Sequence, residues 1–229
     1  MTAAYHGRPA AVLFDLDGLL VDSEPVWSVA EAEIMDWLGG PWNPAVKAAC
    51  LGRRIDASCR ELVRLAGSTV APAEVQERLL ARMAELFRAE LPWRPGAREL
   101  LDALAAAGVP LALVSSSYRV LVDAALEGLG ASRFAVTLAG DEVTSPKPDP
   151  EPYLRAARGL GVSPADCVVF EDSPTGVASA EAAGCVCVAV PDVVPVEAMP
   201  RRPVLASLAE ADLGWLAALP YRRTPTSAA

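Results

Sequence analysis

Five short apolar runs decide what this chain can fold into. They are Ala11-Val12-Leu13-Phe14, Val109 to Val114, Phe134 to Leu138, Cys167 to Phe170 and Cys185 to Val190. Each is bounded by turn residues and is apolar at nearly every position, the pattern of a strand buried on both faces. Helical spacing fills the intervals. Leu100-Leu101 and Leu104 mark a helix ended by Gly108, and Val120-Leu121, Ala124-Ala125 and Leu129 mark another. Tyr153-Leu154 to Leu160 and Val177 to Ala183 give two more, and a short edge strand over 204–206 precedes a helix from Leu208 to Leu219. Strand and helix alternating in this way predict an α/β fold with a doubly wound parallel sheet.

The interval after the first run is different. Val26, Ala30, Ile34 and Trp37-Leu38 trace a helix stopped by Gly39-Gly40-Pro41. Ile55, Cys59, Leu62-Val63 and Ala66 trace a second, stopped by Gly67. Val75, Leu79-Leu80, Met83, Leu86-Phe87 and Leu91 trace a longer third after Pro72. Residues from about 25 to 91 thus read as helices with no strand, and Leu91 to Gly96, rich in Pro and Gly, reads as the linker back.

Chemistry gathers where the strands end. The first run stops at Asp15 and Asp17, with Gly18 next. Residues two apart in extended chain point the same way, and Gly18 permits a sharp turn. Two carboxylates so crowded call for a divalent cation, and oxygen ligands suit magnesium. One acid can then act as nucleophile and the other as general acid/base. An ordinary acidic turn is the bland alternative. An EF-hand is a poor one, because the glycine comes too early and no Glu follows at the required spacing.

Three later stretches have the same character. The strand from 109 runs into Ser115-Ser116-Ser117, where hydroxyls and backbone N–H groups can hold a phosphate or merely cap a helix. Lys147 stands between Pro146 and Pro148 in a chain with two lysines against eighteen arginines. The flanking rings restrict the backbone, and a compact ammonium suits steadying a carboxylate and a phosphoryl oxygen together. The run ending at Phe170 is followed by Glu171-Asp172-Ser173, two acids and a candidate helix cap. Asp141 and Glu142 read as solvated surface acids.

Several classes drop out. The formal net charge is -9 with no block of Lys and Arg, which disfavours a nucleic-acid partner. The single histidine, His6, lies in a segment that reads as loose, so hydrolysis by Ser-His-Asp or Cys-His and most zinc chemistry lack their imidazoles. No apolar run approaches the ~20 residues that span a bilayer, and 1–9 lacks the apolar middle of a secretory signal. The expected location is the cytoplasm. The five cysteines, Cys50, Cys59, Cys167, Cys185 and Cys187, read as free buried thiols, with Cys185 and Cys187 on one face. The residues from Pro220 read as a loose tail.

The stretch Asp15-Leu16-Asp17-Gly18-Leu19-Leu20-Val21-Asp22-Ser23-Glu24 resembles the first motif of the haloacid dehalogenase-like hydrolases, and within them the beta-phosphoglucomutase-like phosphatases. Ser115, Lys147 and Asp172 match the second, third and fourth motifs, in the family's order. The resemblance implies a core of 1–22 and 95–229, a helical C1 cap of 23–94, and the Asp15 strand lying between those that end at Ser115 and Asp172. It implies a magnesium-dependent phosphatase acting on a small phosphorylated metabolite such as a sugar phosphate. Asp15 would be the nucleophile and Asp17 the acid/base. Ser115, Ser116 (through its N–H) and Lys147 would hold the phosphoryl group. Magnesium would sit on Asp15, Asp172 and the backbone carbonyl of Asp17, with Glu171 a direct or water-mediated ligand.

Leu51 to Asp56 resembles the cap specificity loop, which makes Arg53 and Arg54 candidate substrate contacts. A phosphosugar mutase is the first alternative, although no histidine lies in the cap. A phosphonate hydrolase wants a lysine near that loop, and Lys47 is displaced from it. A dehalogenase lacks the second acid that Asp17 provides. A phospho-accepting receiver module is the alternative of another class, and the helical insert argues against it. The expected assembly is a monomer or a weak homo-oligomer.

Overall fold

The computed structural model describes residues 8–219. His6 and the tail from Pro220, both read above as loose, lie outside the described residues.

Five parallel strands form one sheet: β1 (Ala11–Phe14), β2 (Leu111–Val114), β3 (Val136–Leu138), β4 (Cys167–Glu171) and β5 (Val186–Ala189), in the order β3-β2-β1-β4-β5. Val12 lies opposite Leu111 and Val168, and Phe14 opposite Leu113 and Phe170. The β1 strand is therefore central, between β2 and β4, as the family resemblance implies. Connections leave it to both sides, which opens a crevice at its carboxyl end.

The apolar runs serve two cores at once. Val12, Phe14, Leu111, Leu113, Val168, Phe170, Val186 and Val188 face one, with the Phe14 and Phe170 rings stacked at 5.3 Å. The alternate residues, Ala11, Leu13, Ala112, Val114, Cys167, Val169, Cys187 and Ala189, face the other. Helices α7 (Glu151–Leu160) and α8 (Pro174–Ala182) cover the second face with small side chains such as Ala156, Ala157 and Ala180. On the first face lie α5 (Ala97–Ala106) and α6 (Arg119–Leu129).

Four helices make up the insert: α1 (Glu24–Trp37), α2 (Pro44–Cys50), α3 (Ile55–Ala66) and α4 (Pro72–Ala89), with no strand among them. Their apolar stripes are continuous with the first-face core. The α4 helix packs on α6, where Arg88 meets Glu127 at 2.9 Å. The two linkers run side by side: Asp22 N–H donates to the Pro92 carbonyl (2.8 Å) and Arg94 N–H to that of Leu20 (2.9 Å).

Periodicity does not single out α2, which has only seven residues, yet its start is written in the sequence. Asn43 accepts from the N–H groups of Ala45 and Val46, and Pro44 follows it. Two other expectations are corrected. The edge strand at 204–206 reduces to one bridge between Val204 and Ala189. The helix over 208–219 is broken into a 3-10 turn, Leu208–Glu210, and a short α9, Leu213–Ala217, because Ser207 and Asp212 each cap a new start. All five cysteines are buried and free, and Cys185 and Cys187 share the second-face core. No helix among the described residues is long and apolar enough to cross a membrane.

Candidate active site

Lys147 joins three neighbouring strand ends. Its ammonium donates to Asp15 Oδ1 beyond β1 (2.6 Å), to Glu171 Oε1 at the end of β4 (2.6 Å) and to the Val114 carbonyl at the end of β2 (2.8 Å). Its side chain is 4% exposed and lies over the Tyr153 ring, 4.9 Å from the centroid. The loop that carries it is tied down on both flanks. The N–H groups of Thr144 and Ser145 donate to the Glu151 carboxylate, and Ser179 Oγ of α8 donates to the Asp149 carbonyl at 2.6 Å.

Asp15 continues the line of β1, its N–H donating to the Phe170 carbonyl at 3.1 Å. Asp17 is held differently, by hydroxyls. Ser117 Oγ donates to Asp17 Oδ2 at 2.7 Å and Ser115 Oγ at 3.3 Å, while Ser115 Oγ accepts from Ser117 N–H. Oδ1 of Asp17 is buried and has no hydrogen-bond partner among the described residues. After Asp17 the chain turns at Gly18, whose φ of +80° suits glycine. A Cβ there would stand 2.5 Å from Asp172 Oδ2, so the turn and Asp172 are closely packed.

Glu171 is wholly buried and both of its oxygens are occupied. Oε1 accepts from Lys147 and from the Tyr153 hydroxyl at 2.7 Å. Oε2 accepts from Asp172 N–H, Ser173 N–H and Ser173 Oγ. Gly176 must be glycine, because a Cβ would fall inside this carboxylate.

Charge is out of balance at this centre. Burial raises Asp15 to about 7, with Glu171 and Asp17 adding to the rise and Lys147 opposing it. Burial, then Asp15 and Glu171, raises Asp172 to about 9. Lys147 is pushed upward, the pull of Asp15 and Glu171 exceeding the effect of burial. A divalent cation relieves both raised acids, and their hard oxygens fit magnesium. Among the described residues no three His, Cys, Asp or Glu side chains form a cage. Magnesium does not need one, since it usually keeps waters and binds through one or two carboxylates plus substrate oxygens.

The structure thus brings together Asp15, Asp17, Ser115, Lys147, Glu171 and Asp172. Ser116 is exposed beside them, its carbonyl against Gly140. Arg53 and Arg54 stand apart, exposed between α2 and α3, with Arg54 at 3.4 Å from Asp56. Lys47 is committed to Glu24 (2.9 Å) and Glu31 (3.2 Å) within the insert. Sequence reasoning names Ser117 only within the serine triplet and Tyr153 only as a helix residue, and foresees neither the bond of the first to Asp17 nor that of the second to Glu171. The serine triplet carries a signal for the first, because Ser117 lies two residues past Ser115. Tyr153 falls in a helical stripe and looks like core.

The family model of the haloacid dehalogenase-like hydrolases matches residues 9–184. Protein CbbY of Rhodobacter capsulatus is 35% identical over 188 residues, covering 76% of this chain and 82% of that protein. Validoxylamine A 7'-phosphate phosphatase of Streptomyces hygroscopicus subsp. limoneus is 36% identical over 201 residues, covering 84% and 91%. Among solved structures, CbbY from Rhodobacter sphaeroides in complex with phosphate superposes with a TM-score of 0.77 at 28% identity, covering 88% of this chain and 96% of that one.

Proposed function

The chain belongs to the haloacid dehalogenase-like hydrolases, and from that premise we propose that it is a magnesium-dependent phosphatase of a small phosphomonoester, a sugar phosphate or similar metabolite. The observation that carries this is the Lys147 ammonium held on Asp15 at the switch point of the sheet, with Asp17 beside it on serine hydroxyls. The phosphatase named among the relatives and the phosphate in the CbbY crystal structure support the same class of chemistry.

Asp15 is the nucleophile. One of its oxygens bonds to phosphorus as the bond to the leaving oxygen breaks, and Asp17 gives that oxygen its proton, so an alcohol departs. A water then attacks the phosphorus of the aspartyl phosphate and Asp17 takes the water's proton. Breakage of the acyl phosphate O–P bond restores the Asp15 carboxylate and releases inorganic phosphate. Ser115, the Ser116 N–H and Lys147 hold the charge spread over the phosphoryl oxygens. Asp15, Asp172 and the Asp17 carbonyl would hold magnesium, which when bound supplies the positive charge that lets an anionic ester approach these acids. The five hydrogen bonds on Glu171 favour contact with the ion through water. Residues 23–94 act as a cap on the core of 1–22 and 95–229, excluding water from the crevice. Arg53 and Arg54 on its loop are set to meet the far end of the substrate.

A panel of sugar phosphates, read by released phosphate, tests the proposal. Turnover is expected with magnesium and not after exhaustive chelation. Asp15→Asn should have no turnover with an unchanged circular dichroism spectrum, since the amide keeps the shape and loses the nucleophile. Full activity after chelation, or in that variant, would sink the mechanism. Rearranged sugar phosphate without release would point to the mutase, and a single turnover on an aryl phosphate to a receiver.

A further inference from the structure

All three protons of the Lys147 ammonium are engaged, by Asp15 Oδ1, Glu171 Oε1 and the Val114 carbonyl. A phosphoryl oxygen gains a bond from Lys147 only when one of these is released. The three acceptors differ in what release leaves behind. Glu171 Oε1 has a second donor, the Tyr153 hydroxyl at 2.7 Å, and Glu171 Oε2 keeps its own three. Giving up Glu171 therefore leaves neither of its oxygens without a donor, and it leaves Lys147 on Asp15, where the proposed chemistry occurs.

Tyr153 is placed for this exchange. It is fully buried on α7, and its ring lies beneath the ammonium. A ring face attracts a cation whichever partners the cation is bonded to. We propose that Tyr153 is a positioning residue that frees Lys147 for the phosphoryl group, its hydroxyl holding Glu171 while Lys147 turns from Oε1 to the substrate. This rests on the phosphatase reading given above.

Tyr153→Phe isolates the hydroxyl, because the ring and its packing stay. In that variant Lys147 is the only donor to Oε1, and its departure leaves a buried carboxylate oxygen bare. The probe is trifluoroberyllate with magnesium, a phosphoryl mimic whose binding is measured without turnover. Its affinity should fall roughly 10–100-fold in the variant, the effect of one hydrogen bond to a charged group. The kcat/KM for a phosphomonoester should fall by a similar factor, with little change in melting temperature.

The chain holds only two lysines, so 15N-lysine labelling gives two ammonium resonances, with Lys47 as the internal reference. Trifluoroberyllate should move the Lys147 resonance in the wild type, and in the variant only at correspondingly higher concentration. Equal affinity and equal shifts in both proteins would overturn the proposal. So would a lowered melting temperature with unchanged affinity, which assigns Tyr153 a purely structural part. A wild type that neither binds the mimic nor releases phosphate would overturn the phosphatase reading itself, and this inference with it.

Discussion

Asp15 and Asp17 are the same side chain two residues apart, and their different partners suit them to the two different roles proposed above. Asp15 faces an ammonium, which favours the ionised form a nucleophile needs. Asp17 faces hydroxyls, and a hydroxyl donates to a carboxylate or, after rotation, accepts from a carboxylic acid. Only the second setting serves both protonation states, as an acid/base must be served. Asp17→Asn should slow turnover by roughly 10²–10⁴-fold, the usual contribution of a proton-transfer group. Magnesium affinity should change little, since the backbone carbonyl remains. The loss should depend on the leaving group, because a sugar alkoxide needs a proton as it departs and p-nitrophenolate hardly does. Rapid mixing with p-nitrophenyl phosphate should show a burst of nitrophenol and then slow turnover. Equal loss of the phosphorylation step on both substrates, together with collapse of magnesium binding, would show that the Asp17 side chain is a metal ligand. The acids and Lys147 were legible because their types are unusual where they stand, whereas Ser117 and Tyr153 look like what any cap or helix stripe contains.

The strands were legible for a different reason. A strand buried on both faces has no polar positions to blur its edges, so β1, β2, β4 and β5 appear as clean apolar runs. Elements held together by a few side-chain caps, such as α2 and the broken stretch after Leu205, carry no such pattern. The turn joining β1 to the insert lies between these cases: Gly18 announces a turn, but not that Asp172 packs against it. Two substitutions separate those effects. Gly67 has φ +62° with open space around it, whereas Gly18 has φ +80° with Asp172 Oδ2 at 2.5 Å from an added Cβ. Gly67→Ala should cost about 1 kcal/mol, the penalty for a side chain in the left-handed region, and leave kcat/KM alone. Gly18→Ala should carry the same penalty and also displace Asp172, so magnesium affinity and kcat/KM fall together, by about 10-fold or more. Urea melts and magnesium titrations of the two variants check this, and equal effects on activity would refute the close packing.

At the scale of the molecule, one continuous core joins the sheet to the insert, and the centre at the strand ends carries excess negative charge. That excess makes global stability depend on pH in a direction that can be worked out. Asp172 ionises near 3.8 when unfolded and at about 9 when folded. Between those values the folded chain binds more protons than the unfolded one, so this group's contribution to stability is full below about pH 4 and is lost as pH rises toward 9. Asp172→Asn removes the group, and comparing it with the wild type cancels every titration not coupled to it; the easier ionisation of the neighbouring Asp15 in the variant acts in the same direction. Without metal the two proteins should melt alike near pH 3.5, and the variant should melt higher at pH 8–9. A difference of at least about 2–4 °C is expected, the shift that ~1 kcal/mol gives in a chain of this size. Magnesium should reverse the order at high pH, because it binds the wild type's ionised acids and stabilises the folded form by mass action. A variant that melts lower than the wild type at pH 9 in the absence of metal would mean that Asp172 is stabilised as the anion by other contacts, and the charge imbalance argued for the site would be wrong.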